Sequence, residues 1–353
     1  MPTSSYSSNA NKFELIHCKE LAWNLSRSHL TTQYKSFYMC FDDGSFGYIQ
    51  FAYGNLGLFV KVAPLGWTYY PSKNETVQVP IVASSTYLYR NMKVSKDRYS
   101  VDVQKHSMHF DVKMRAWHVM IEGMYDLTIH MEDTGFSLMD FGQNDIKGYM
   151  EHKTFPVNTL EGTVTAHGST KKVTGTAVFI DAMFFKEKFT NLGHTWQNSL
   201  LFDASRKNVL TCLHYFPRDS AETFRSQASL TLDGKLVAVL LNNEYTTEGV
   251  LQVDGIRYQL PTHIHRILSG FTFDGKPVSV HLAADLEKIE SITDVLNIFP
   301  KWAKDIVSIW AGLPYVFVWL QHLVAEVYID DQFVSTLSGC HYLEQTCVHM
   351  PYS

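Results

Sequence analysis

The chain has 353 residues, 45% hydrophobic and 18% charged, which suits two globular domains and is too apolar for disorder. Its formal net charge of -5, with no Lys/Arg stripe, argues against a nucleic-acid partner. Five cysteines without a CxxC pair indicate neither a disulfide framework nor a zinc site, so a reduced cytoplasmic setting is expected. Aromatics reach 14%, a composition that favours strands and apolar cavities over helical bundles.

The opening MPTSSYSSNANK is Ser/Asn-rich, so residues 1–14 read as a flexible tail without signal-peptide character. Period-2 patterning then takes over. Lys35 to Phe41 and Phe46 to Tyr53 flank Asp42-Asp43-Gly44 and read as a hairpin. Leu58 to Val62, Ile81 to Tyr87, Tyr99 to Val103, Ser107 to Ala116, His118 to Gly123 and Tyr125 to Met131 continue the series. The polar stretch 142–160 (GQNDIKGYMEHKTFPVNTL) breaks the pattern, which predicts one domain over 15–148 and a second over 149–353. Three Asp-Gly pairs, Asp233-Gly234, Asp254-Gly255 and Asp274-Gly275, predict an antiparallel up-and-down sheet, because tight hairpin turns favour residues that tolerate positive φ.

Residues 285–311 are the helical exception. Ile289, Ile292, Leu296 and Phe299 share one helical face, and Pro300 fits the first position of a second helix. That second helix puts Trp302, Ile306, Ile309 and Trp310 on one side. Such a face covers a barrel mouth or flank, or makes transient contact with a membrane surface through Trp302 and Trp310. Residues 306–325 carry no charge and match a membrane span in length. Gly312 and Pro314 interrupt them, however, and predict a helix end followed by a strand from about Tyr315. The fold class is therefore all-β with a short helical segment, built as two sandwiches or two closed antiparallel barrels.

Catalytic signatures are few. The chain has no nucleophile elbow, Walker loop or dinucleotide fingerprint, and no cofactor is expected. His263 and His265 would share one face of a strand, but a third ligand is not evident, so no metal is assigned. His194, between Gly193 and Trp196, reads as a rim histidine with a ligand-anchoring role as the alternative. The better lead is the set of alternating aromatics. Tyr48, Phe59, Trp117, Phe179, Tyr315, Phe317 and Trp319 can line an apolar cavity or fill a core.

Several segments together resemble the fungal survival factor 1 family. They are Ile289–Tyr315 (IESITDVLNIFPKWAKDIVSIWAGLPY), Met150–Val164 (MEHKTFPVNTLEGTV), Trp196 with Phe202 and Leu213–Pro217 (LHYFP), and Trp23 with Ser36–Tyr38 and Gly47–Gln50. The resemblance runs from about residue 15 to the end. It implies a tandem lipocalin-like (calycin) fold, a role in surviving oxidative stress and a hydrophobic ligand. For one member it implies ceramide movement between endoplasmic reticulum and Golgi, hence peripheral membrane contact. That member's opening amphipathic helix has no counterpart in MPTSSYSSNANK. The expected protein is a non-enzymatic lipid carrier, with His194, Trp196 and the aromatics above as ligand contacts. The rival readings are a hydratase- or cyclase-like enzyme, marked by His194 or His214 facing inward beside a carboxylate, and a ligand-free interaction protein with filled barrels.

Overall fold

The computed structural model describes residues 4–7, 13–25, 31–57, 60–141, 149–185, 193–216, 224–256, 258–286, 288–298 and 313–349. They form two compact units, Lys12–Lys188 and Phe189–Ser353, the second including Met1–Asn11. Both are antiparallel β structures.

In the C-terminal unit the ladder closes on itself. Its strands are Thr195–Asp203, Val209–Phe216, Arg225–Leu232, Lys235–Glu248, His263–Thr272, Pro277–Asp285, Leu313–Ile329 and Gln332–His349. Each pairs with its neighbour, Lys235–Glu248 pairs with His263–Thr272, and Gln332–His349 returns to pair with Thr195–Asp203. Closure removes the edges of the ladder except along the first part of Leu313–Ile329, and alternate side chains point into the barrel. Leu201, Leu210, Leu230, Val280, Val327 and Leu337 belong to that buried inner set. The turns at one end are tight: Asp233 and Gly234 both have positive φ, 50° and 76°, as a two-residue hairpin turn requires.

The N-terminal unit is also a meander, from Thr31–Phe41 through to Tyr125–Met131 and then Tyr149–Ala166 and Ser169–Phe185. Ser169–Phe185 pairs back onto Thr31–Phe41. Among the described residues the gap in its ladder lies between Ile81–Leu88 and Met92–Val94, which the 3-10 turn Tyr89–Asn91 joins covalently. The barrel is thus nearly closed.

At the seam of each barrel a glycine lets two backbones meet. A Cβ on Gly175 would lie 2.3 Å from the Cys40 carbonyl oxygen, and one on Gly339 would lie 2.1 Å from that of Phe202. Both obstacles are backbone and cannot swing aside. Gly339→Ala is expected to lower stability by about 1–3 kcal/mol, the usual cost of overpacking, measured as an earlier urea midpoint. An unchanged midpoint removes this account of the seam.

Four expectations need correction. The flexible tail expected over residues 1–14 instead contains the strand Ser4–Ser7, paired with Lys235–Glu248, and the start of the strand Phe13–His17, paired with Thr134–Phe141. The domain division lies between Lys188 and Phe189, not near 148. Tyr149–Ala166 and Ser169–Phe185 belong to the first barrel because they bridge Tyr125–Met131 to Thr31–Phe41. The helix expected from Ile289 is instead the strand Ser291–Asp294, laddered to Tyr315–Val318, followed by a 3-10 turn at Val295–Ile298. Edge pairing satisfies that backbone where helical spacing had suggested self-pairing, and Ile292 is 42% exposed, not on a buried face. The Asp254-Gly255 turn sits in a small hairpin of its own, Leu251–Gln252 with Gln259–Leu260, rather than in the barrel wall. Phe59 and the second expected helix, with Trp302 and Trp310, lie outside the described residues.

The uncharged run resolves as expected over its described part. Pro314 falls in the strand Leu313–Ile329, and among the described residues no helix is long and apolar enough to cross a membrane.

Candidate functional site

Among the described residues each barrel buries one lysine or arginine, and the two are treated differently. In the N-terminal barrel, Lys35 is fully buried and its Nζ donates to Asp181 Oδ2. Gln33 Nε2 donates to Asp181 Oδ1 at 2.8 Å, and Gln33 Oε1 accepts from the Asn24 backbone N–H at 2.7 Å. The ammonium also sits 5.0 Å from the Trp23 ring centroid. Desolvation pulls the Lys35 pKa down, and the Asp181 carboxylate opposes that pull. Around this pair the core is solid aromatic: Trp117 stands 4.6 Å from Phe110 and 5.5 Å from Phe179, which lies 4.9 Å from Phe37. Trp117 and Phe179 therefore fill the core. Tyr48 points outward, its ring 4.9 Å from that of Tyr38 on the opposite face from Ile49 and Phe51.

The C-terminal barrel leaves its charge open. Ile264, Arg266 and Leu268 share the inward face of one strand, and all are fully buried. A guanidinium carries its charge into any environment, so an inward arginine needs acceptors. Arg266 has one: its Nη2 donates to Gln197 Oε1 at 3.0 Å. Its Nε and Nη1 are buried without partners, and among the described residues no carboxylate pairs with it. Gln197 is held by its own amide, which donates to Tyr245 Oη at 2.7 Å and to Gln345 Oε1 at 2.8 Å. The guanidinium lies 5.4 Å from the Tyr245 ring centroid.

Two neutral imidazoles complete the polar band. His341 Nε2 meets Ser199 Oγ at 2.8 Å, and His214 Nε2 meets Cys212 Sγ at 3.0 Å. The Nδ1 of each is buried and unpartnered. Burial, reinforced by the Arg266 charge, pushes His341 down to about 3 and His214 well below the usual imidazole range. Burial lifts the Cys212 thiol to about 11.

The band lies near one end of the barrel. Arg266, Tyr245, Gln197, Gln345 and His214 are each two to four residues from the strand ends His263, Glu248, Thr195, His349 and Phe216. At a strand rise of about 3.3 Å per residue, that is roughly 7–13 Å along the wall. At the same end the wall strands finish or begin at Phe216, Arg225, Glu248, His263, Asp285 and Leu313, whereas the far end has the tight turns. Over it packs the small hairpin of 249–262. Its Leu260 is buried, and Tyr258 rests 5.9 Å from Tyr315 and 6.2 Å from Phe317. Trp319, fully buried with its indole N–H unpartnered, stands 6.5 Å from Phe317. Below the band, toward the tight turns, the inner residues are aliphatic.

Of the residues singled out in the sequence, Tyr315, Phe317 and Trp319 come together on this inner wall. Trp196 does not: its ring stacks on Tyr215 at 4.5 Å on the outer face, because strand alternation opposes it to Gln197. His194 is exposed at the rim, its Nδ1 3.0 Å from Thr195 Oγ1. His214 faces inward, but beside a thiol rather than a carboxylate. His263 lies on the face opposite Arg266, 2.7 Å from Asp285, and among the described residues no three His, Cys, Asp or Glu side chains cluster as metal ligands would. Sequence reading missed Gln197, Tyr245, Arg266, His341 and Gln345. A usable signal existed for Arg266, a charge at the centre of an otherwise apolar inward row.

Comparison with known proteins adds the family. Survival factor 2 of Schizosaccharomyces pombe is 74% identical over 349 residues, covering 99% of this chain and 99% of that protein. The same species' "Ceramide-binding protein svf1" is 22% identical over 357 residues, covering 94% of this chain and 90% of its own length. Among solved structures, an AttH-type protein of Nitrosomonas europaea shares the lipocalin-like fold, with a TM-score of 0.55 over 94% of this chain and 96% of that one at 12% identity. The Svf1 family profile matches residues 2–349, and the chain belongs to the Svf1 family.

Proposed function

We propose that this chain is a lipid-binding carrier that takes a ceramide-class amphiphile into its C-terminal barrel. The observation that carries the reading is the band around Arg266. Buried polar groups in a folded protein are satisfied almost without exception, yet here Arg266 Nε and Nη1, His214 Nδ1 and His341 Nδ1 all lack partners. They lie close together inside a barrel whose mouth is aromatic and whose base is aliphatic. A ceramide offers matching chemistry: an amide carbonyl and hydroxyls for the band, and chains for the apolar wall. The relatives named as ceramide-binding proteins support the same class. Family membership further supports a part in oxidative-stress survival, with transient contact at endoplasmic reticulum or Golgi membranes.

The enzymatic reading has less to work with. Cys212 and His214 are the nearest thing to a nucleophile and base, but burial keeps the proton on sulfur and weakens the imidazole as its acceptor.

Organic extraction of the purified protein, followed by lipid mass spectrometry, tests the carrier reading. A stoichiometric ceramide-class lipid is the expected finding, together with uptake of a fluorescent ceramide. Recovering no lipid and seeing no uptake sinks it.

A further inference from the structure

We infer that the C-terminal barrel selects amphiphiles with an anionic oxygen headgroup, a carboxylate or phosphate, and that Arg266 is the residue that selects them. The inference rests on the reading that this barrel carries an amphiphile, and it departs from that reading in the headgroup, since a ceramide is neutral and Arg266 favours an anion.

The argument begins with a contrast inside the molecule. Lys35 of the first barrel is as deeply buried as Arg266 but carries Asp181 as its counter-ion. Arg266 has only a neutral amide and the face of Tyr245. A buried charge without a counter-charge costs several kcal/mol, far more than a buried pair. Evolution of a purely structural core has cheap ways to avoid that cost, since a methionine would fill the same space. The network around Arg266 instead holds it in place: Gln345 and Tyr245 fix Gln197, and Gln197 fixes one guanidinium nitrogen. The remaining donors are left for an incoming group.

A neutral hydroxyl or amide can accept one of those hydrogen bonds but leaves the charge uncompensated. An oxyanion does both. The two nearby imidazoles are neutral and each keeps a free ring nitrogen, so they add hydrogen bonds without adding competing charge.

The test is isothermal titration of the full chain with dodecanoate, dodecyl phosphate and dodecanol, each below its micelle concentration. Wild type is expected to bind at least one anionic probe about 10- to 100-fold more tightly than dodecanol, the range of a charge-assisted hydrogen bond. The better of the two anions identifies carboxylate or phosphate. Arg266→Met is expected to erase the preference while retaining dodecanol binding, and to raise the Tm of the lipid-free protein by roughly 2–8 °C as the unpaired charge is removed. Arg266→Lys is expected to keep the preference, which guards against a Met variant that fails to fold. Equal affinity for anionic and neutral probes in wild type overturns the inference, as does a preference that survives in Arg266→Met or a lowered Tm in that variant. Equal binding of all three probes leaves the carrier reading standing. Anion selectivity with no ceramide recovered by extraction removes ceramide and keeps this inference.

Discussion

Asp181→Ala is expected to lower the unfolding free energy of the N-terminal unit by about 3–5 kcal/mol. The reason is what the substitution leaves behind. Lys35 is fully buried, and its charge is tolerable only because Asp181 accepts from it and Gln33 holds the other carboxylate oxygen. Removing the carboxylate strands an ammonium among Trp23, Phe179 and the inner aromatics, with desolvation already acting against the charged form. The pair itself need not be a net stabiliser, because both partners lost their hydration on folding. The double substitution Lys35→Met with Asp181→Leu should therefore recover most of the loss, to within about 1 kcal/mol of wild type. Urea unfolding of the three proteins measures all of this. A midpoint for Asp181→Ala that matches wild type removes the buried pair from the account.

Much of the fold was legible because its signals are local. Asp233-Gly234 and Asp274-Gly275 marked hairpins through turn chemistry alone, and Pro314 marked the strand that takes up the described part of the uncharged run. What failed was decided at long range. Ile289, Ile292 and Leu296 have helical spacing, yet the open edge of Leu313–Ile329 captured Ser291–Asp294 as a strand. The polar break at 142–160 looked like a linker, but Tyr149–Ala166 is needed to carry the first barrel back to its opening strand, a requirement that no local window displays.

The site divides in the same way. Tyr315, Phe317 and Trp319 were readable as an alternating aromatic wall, whereas Trp196 was assigned to the interior and lies outside because parity, not residue type, decides which way a strand residue faces. The polar band had no motif at all. Gln197, Arg266, His341 and Gln345 sit on strands far apart in sequence and meet only when the ladder closes.

Acidification should destabilise both units well above the range where carboxylates titrate. His152 in the first unit and His341 in the second are fully buried, with pKa values pushed by desolvation to about 4 and about 3. His214 is also driven well below the ordinary value of 6.5, by burial and the Arg266 charge. The sign follows from proton counting. Between the depressed folded values and about 6.5, the unfolded chain binds protons that the folded chain refuses, so stability rises with pH across that window and falls as pH drops through it. At pH 5 His152 and His341 each cost about 2 kcal/mol relative to pH 7.5, and His214 adds to the same trend. Urea unfolding at pH 7.5 and pH 5.0 gives the difference, and His152→Phe should shrink the part belonging to the first unit. Proton NMR supplies the direct check: the ring signals of these three histidines should stay unshifted from pH 7.5 to 5.0. If the three shift over that range, they are reachable by water, and the desolvated polar band around Arg266 goes with them. The two large effects also separate by unit, since Asp181→Ala weakens one barrel at every pH whereas acid loosens both.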